Sequence, residues 1–129
     1  MQKRDPYLQI IYKNGIKEEC MQLFGRVQCM IEKLDYPPIS LIASHIKPFI
    51  ESSEDEAYDA SNGLLLSRNI DILFDRGYIS FDKNGKIILS TKLTEDVRKY
   101  LSNYYLDGPL LTEKRKSYLN YHRTKIFVA

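Results

Sequence analysis

Apolar positions along the chain come in short runs, separated by turn residues and carrying two different periods. "ISLIA" (39–43) is a branched apolar run that leads directly into His45, and it predicts a strand. "GLLLS" (63–67) predicts a second short strand. "YISFDKNGKIILS" (78–90) alternates apolar and polar residues on both sides of Asn84-Gly85, a strong hairpin signal. Between these strands, "RNIDILFDRG" (68–77) switches to the helical period. Ile70, Leu73 and Phe74 share one face there, Ser67 stands at the N-cap and Gly77 stops the helix after residue 76.

Toward the N-terminus, "KEECMQLFG" (17–25) predicts a short helix; the helical pattern can run on through Val27, Met30, Ile31 and Leu34, but Gly25 favours a break there, with "RVQCMI" (26–31) a strand. Pro37 and Pro38 mark a turn. "TEDVRKYLSNYYL" (94–106) is a helix opened by Thr94 with acids in its first turn, and "EKRKSYLNYHRTKIF" (113–127) a last helix. The class is α+β. The length fits one domain over residues 1–129, with an N-terminal helix and strand (1–38), a central unit (39–93) and C-terminal helices (94–129).

Composition changes this picture little. At 43% hydrophobic and 28% charged the chain can bury a core, and it holds no apolar run long enough for a membrane span. The opening "MQKRDPYLQIIYK" lacks the apolar stretch of a secretory signal. Cys20 and Cys29, nine residues apart, have neither zinc-ligand spacing nor a disulfide framework, which points to a reducing, cytoplasmic setting. Charge is more informative in its distribution than in its net value of +2. Residues 51–59 carry five acids and no base, so 19 basic residues face only 12 acidic ones elsewhere. That balance permits a polyanionic partner. The acidic stretch itself is expected to point away from any such partner or to be mobile.

The candidate chemistry gathers in three places. On the 68–76 helix, Asp71 and Asp75 lie together off the apolar face, with Arg68 beside them. Like charges at i and i+4 cost a helix ~0.2–0.5 kcal/mol. The spacing admits a solvated edge with an Asp71–Arg68 ion pair, or a site for a hard cation that offsets the repulsion. His45 ends an apolar strand, where a side chain turns from core to cleft. A histidine there is more often a structural hydrogen-bonding residue, but imidazole is also the usual general base near neutral pH. Asn62-Gly63 reads as a turn, or as an amide that ties a loop beside the histidine.

In the order "ASHIKPF", "NGLLLS" and "DILFDRGYISFD", the chain resembles the HNH (ββα-metal) endonuclease family, over roughly residues 27–93 and more faintly in "YLNYHRTKIF". It is most similar to a bacterial branch with "ASHIKP", "NGLLLS" and "D-x-LFDRG". The resemblance implies a ββα-metal core with an added hairpin and flanking helices. It also implies metal-dependent hydrolysis of DNA, in restriction or defence. His45 would activate water, Asn62 would brace the loop beside it, and Asp71 and Asp75 would be metal ligands. Lys47, Arg68 and Arg76 are the nearest cations for a phosphate. Carboxylates in place of imidazole at the helix imply Mg²⁺ or Mn²⁺. Ser44 stands where many members carry an acidic or histidine ligand, and the paired CxxC knuckle of other branches is absent. A catalytically inactive nucleic-acid-binding module and an RNA-directed nuclease are the alternative readings. No membrane partner is expected, and a homodimer is allowed.

Overall fold

A computed structural model describes residues 3–129. Its centre is a strand–strand–helix unit. β1 (Leu41–His45) pairs antiparallel with β2 (Gly63–Ser67), from Leu41 opposite Ser67 to His45 opposite Gly63. α3 (Arg68–Asp75) follows β2 without a break, opened by Ser67, whose hydroxyl accepts from the Ile70 N–H. Every residue of β2 is buried. Since neighbouring strand residues point to opposite faces, β2 must be covered on both sides. α3 packs on the β1–β2 pair, and α1 (Pro6–Phe24) packs on β2 through Tyr12, Ile16 and Cys20. Mixed helices and two small sheets fit the α+β class, and the central unit fits a ββα core.

The N-terminal region differs from expectation. α1 starts at Pro6, capped by the Asp5 carboxylate, and is far longer than residues 17–24. Its apolar pattern is blurred because Tyr7, Ile10 and Ile11 are exposed. Residues 26–31 are not a strand. Cys29, Met30 and Ile31 are buried, yet among the described residues a single backbone bond, Met30 N–H to the Leu65 carbonyl (2.8 Å), reaches β2. The run is a loop lid over the sheet, turned back by Lys33 at φ 57°. Neither Cys20 nor Cys29 is in a disulfide, and burial pushes both thiols above their ordinary pKa.

The hairpin forms as β3 (Ile79–Phe81) and β4 (Ile87–Leu89). Its turn is longer than a two-residue Asn-Gly loop, because only Gly85 has positive φ (86°). The Gly85 N–H donates to the Asp82 carbonyl, and the Asp82 carboxylate accepts from the Asn84 and Lys86 N–H groups. That is a type I turn followed by a left-handed glycine. The acidic stretch contains the short helix α2 (Glu54–Ala57), opened by a reciprocal Ser53–Glu56 capping box. α4 (Glu95–Leu101) opens at Thr94 but stops five residues short of expectation. α5 (Glu113–Tyr121) passes into a wide π-helical turn, His122–Ile126, rather than continuing as an α-helix.

Two buried polar side chains hold the C-terminal part to the core. Arg115, 1% exposed, forms a bidentate pair with Glu19 (2.7 and 2.8 Å) and donates to the carbonyls of Ala60, Gly63 and Leu110. His122 stacks on Phe74 and bonds the Phe74 carbonyl through Nε2 and Ser80 through Nδ1, both at 2.8 Å. Burial lowers its pKa from 6.5 to about 4, against opposing contributions from the Phe74 carbonyl and Asp75. Above the unfolded pKa both states leave His122 neutral. As pH falls from 6.5 toward 4, the unfolded chain takes up a proton that the folded chain refuses. Stability should therefore fall by roughly 3 kcal/mol across that window. Urea unfolding at pH 7 and pH 4.5 measures this loss, and His122→Asn should flatten it.

Candidate active site

His45 is fixed by contacts from three elements. Its ring stacks on Tyr12 of α1 (4.6 Å between centroids, 11°) and meets Phe49 edge-on (5.8 Å, 79°). Its Nε2 lies 2.7 Å from the Ala57 carbonyl. A carbonyl only accepts, so Nε2 must carry the proton and Nδ1 of the neutral ring keeps its lone pair. Burial, with Arg4 adding to it, lowers the His45 pKa, while the Ala57 carbonyl and Asp75 oppose the shift. Neutral imidazole thus prevails at neutral pH.

Asn62 holds the loop that supplies the Ala57 carbonyl. Fully buried, it accepts from the Lys47 N–H at Oδ1 (2.8 Å) and donates through Nδ2 to the carbonyls of Lys47 (3.2 Å) and Glu56 (3.0 Å). One amide therefore closes both ends of the segment between β1 and α2.

Asp71 and Asp75 project from α3 toward the end of β1. A cleft of about 360 Å³ is lined by both carboxylates together with His45, Ser44, Phe49 and Arg4. Asp71 is half-buried, and burial with the neighbouring Asp75 charge raises its pKa, against Ser44 and Arg68. Ser44 Oγ is itself buried and, near as it is to Asp71, makes no hydrogen bond of normal geometry among the described residues. Burial and an adjacent like charge make an ionised Asp71 costly on its own. A cation at this pair would remove that cost.

Of the cations singled out by sequence, Arg68 and Arg76 line an adjoining groove that shares Ile42, Asp71 and Asp75 with the cleft. Arg68 Nε donates to the Ile39 carbonyl, and no Asp71–Arg68 ion pair is present among the described residues. Among the described residues Arg76 pairs only with Asp75, at 3.9 Å on an exposed surface. Lys47 is not brought to the cleft. Its ammonium pairs with both Glu56 oxygens (2.9 and 3.0 Å) and faces Tyr121. Its place is taken by Arg4, which sequence reading missed. The Asp5 N–H donates to the Tyr58 hydroxyl, and the Arg4 guanidinium lies 4.4 Å from the Phe49 ring centroid. None of the five acids of residues 51–59 lines the cleft.

Residues 29–82 match the HNH endonuclease family model. The HNH segment takes in β1, β2 and α3 with His45, Asn62, Asp71 and Asp75, and supports a nuclease in general. Tyr12 and Arg4 lie outside it. No curated protein matches the chain. Among the described residues no helix is long and apolar enough to cross a membrane.

Proposed function

We propose that this chain is a metal-dependent endonuclease that hydrolyses phosphodiester bonds of DNA, in a restriction or defence role. The observation that carries the reading is the Nε2 contact with the Ala57 carbonyl, which leaves Nδ1 as the unprotonated nitrogen of a histidine that lines one cleft with Asp71 and Asp75. In this reading His45 Nδ1 takes a proton from a water molecule. The water oxygen forms a bond to phosphorus as the bond to the leaving oxygen breaks. Asn62 keeps the Ala57 carbonyl in place, and Arg4, Arg68 and Arg76 hold the phosphate oxygens.

Asp71 and Asp75 are the residues that would hold a divalent cation. Among the described residues no three His, Cys, Asp or Glu side chains converge as a ligand group. Two carboxylates fit Mg²⁺ or Mn²⁺, which retain water and substrate oxygens, better than Zn²⁺, which prefers a fuller nitrogen or sulfur shell. The buried Ser44 hydroxyl supplies a further unpaired polar atom beside them. When bound, the cation would stabilise charge on the phosphate and the leaving oxygen.

Plasmid cutting tests this reading. Mg²⁺ or Mn²⁺ should support nicking and Zn²⁺ should support little, and Asp71→Asn should abolish both cutting and Mn²⁺ binding followed by electron paramagnetic resonance. Cutting of single-stranded RNA but not DNA would select the RNA-directed reading. A folded protein that binds DNA but fails to cut it with any of these cations would be the inactive module.

A further inference from the structure

His45 owes its orientation to a residue that the HNH segment does not contain. We propose that Tyr12 is a positioning residue that fixes which nitrogen of His45 bonds the Ala57 carbonyl and which is left free, an inference that rests on the nuclease reading for its catalytic consequence.

Tyr12 acts at two points. Its ring covers one face of the imidazole, almost parallel to it. Its hydroxyl donates to the Asn62 carbonyl (2.8 Å). Because that carbonyl cannot donate, the phenol must keep its proton, and burial pushes its pKa far above the ordinary range. One side chain thus joins the His45 ring to the backbone of the residue that braces the loop. A half-turn of the ring would exchange nitrogen for carbon at both edges and lose the Ala57 bond. The Tyr12 stack, closed at the edge by Phe49, resists that turn.

Gly63 carries the matching signal. Its backbone is extended (φ −163°), a conformation open to any residue, so its glycine is needed for space rather than for backbone freedom. A Cβ there would clash with the Tyr12 hydroxyl, and would lie 2.5 Å from Ile16 Cδ1 and 2.9 Å from Tyr12 Cζ. The glycine at the start of β2 lets the tyrosine reach the Asn62 carbonyl.

Three variants separate positioning from simple packing. Tyr12→Leu removes ring and hydroxyl, Tyr12→Phe keeps the ring alone, and Gly63→Ala leaves Tyr12 intact but displaces it together with Ile16. Long-range ¹⁵N NMR of His45 reads the tautomer without DNA or metal. Cutting of supercoiled plasmid with Mg²⁺, below the melting temperature of each variant, gives kcat and KM. His45 should carry its proton at Nε2 in the wild type and become a mixture of tautomers in Tyr12→Leu. The kcat of Tyr12→Leu should fall about 10²-fold with KM little changed, as when a catalytic group is misplaced by about 1 Å. Tyr12→Phe should recover most of the rate. A folded Tyr12→Leu protein with the wild-type tautomer and kcat would overturn the inference, and Gly63→Ala decides by the same measurements if Tyr12→Leu does not fold. A wild type that cuts nothing, while its His45 tautomer still depends on Tyr12, overturns the nuclease reading and leaves the positioning role standing.

Discussion

Replacing His45 with alanine should lower Mg²⁺-dependent cutting by about 10²–10⁴-fold, the usual contribution of a general base. DNA affinity should change little, because phosphate contacts from arginine, not the base, carry binding in this reading. The ring also packs between Tyr12 and Phe49, so a stability loss of about 1 kcal/mol is expected with it. That loss is far too small to explain the fall in rate if assays run well below the melting temperature. A purely structural histidine would show the opposite pattern, with activity falling only in proportion to the folded fraction. Melting temperature, DNA affinity and cutting rate measured on one preparation tell the two apart. Unchanged cutting by well-folded His45→Ala would end the mechanism proposed for the cleft.

Arg115→Ala should be the most damaging substitution for stability, at about 3–5 kcal/mol. The guanidinium is buried and fully engaged, with Glu19 on one side and the carbonyls of Ala60, Gly63 and Leu110 on the others. Truncation leaves those carbonyls without donors and opens a void between α5, α1 and the start of β2. Two of the three carbonyls flank Asn62, so the same loss reaches the cleft from behind. Glu19→Gln, which keeps an acceptor for Arg115, should cost much less. Urea denaturation of both variants gives the comparison, and equal midpoints would show that the charge of Glu19 matters more than its shape.

The central unit was legible because its signals are local. "ISLIA", "GLLLS" and the Ser67-capped run to Gly77 each state their own conformation, and Asp71 and Asp75 share a helix side by spacing alone. His45, Asn62 and the two aspartates come from short stretches whose order suggested that they meet, and the fold places His45, Asp71 and Asp75 in one cleft with Asn62 behind it. What stayed hidden is non-local. Arg4 lines the cleft from just ahead of α1, and Tyr12 backs His45 from within α1, a helix whose apolar residues Tyr7, Ile10 and Ile11 face outward and blur its period. Lys47 stands two residues from His45 in sequence, but it lies beyond the end of β1 and its ammonium turns to Glu56. The strand expected at residues 26–31 is instead a loop whose apolar residues Cys29, Met30 and Ile31 are buried without being paired into a strand. A buried apolar loop and a strand share the same composition, and only the hydrogen-bond ladder tells them apart.

The two free thiols have a practical consequence. Cys20 sits wholly inside α1's contact with the sheet, its sulfur accepting from the Gln28 N–H, and Cys29 belongs to the loop lid, with its side chain buried beneath it. Both are screened from solvent and held in the unreactive protonated form. An alkylating reagent therefore meets no target until the N-terminal helix or its lid lifts from the sheet. The labelling rate of each cysteine becomes a clock for that opening, and mass spectrometry can time the two events separately in the unmodified chain without adding a dye or a tag.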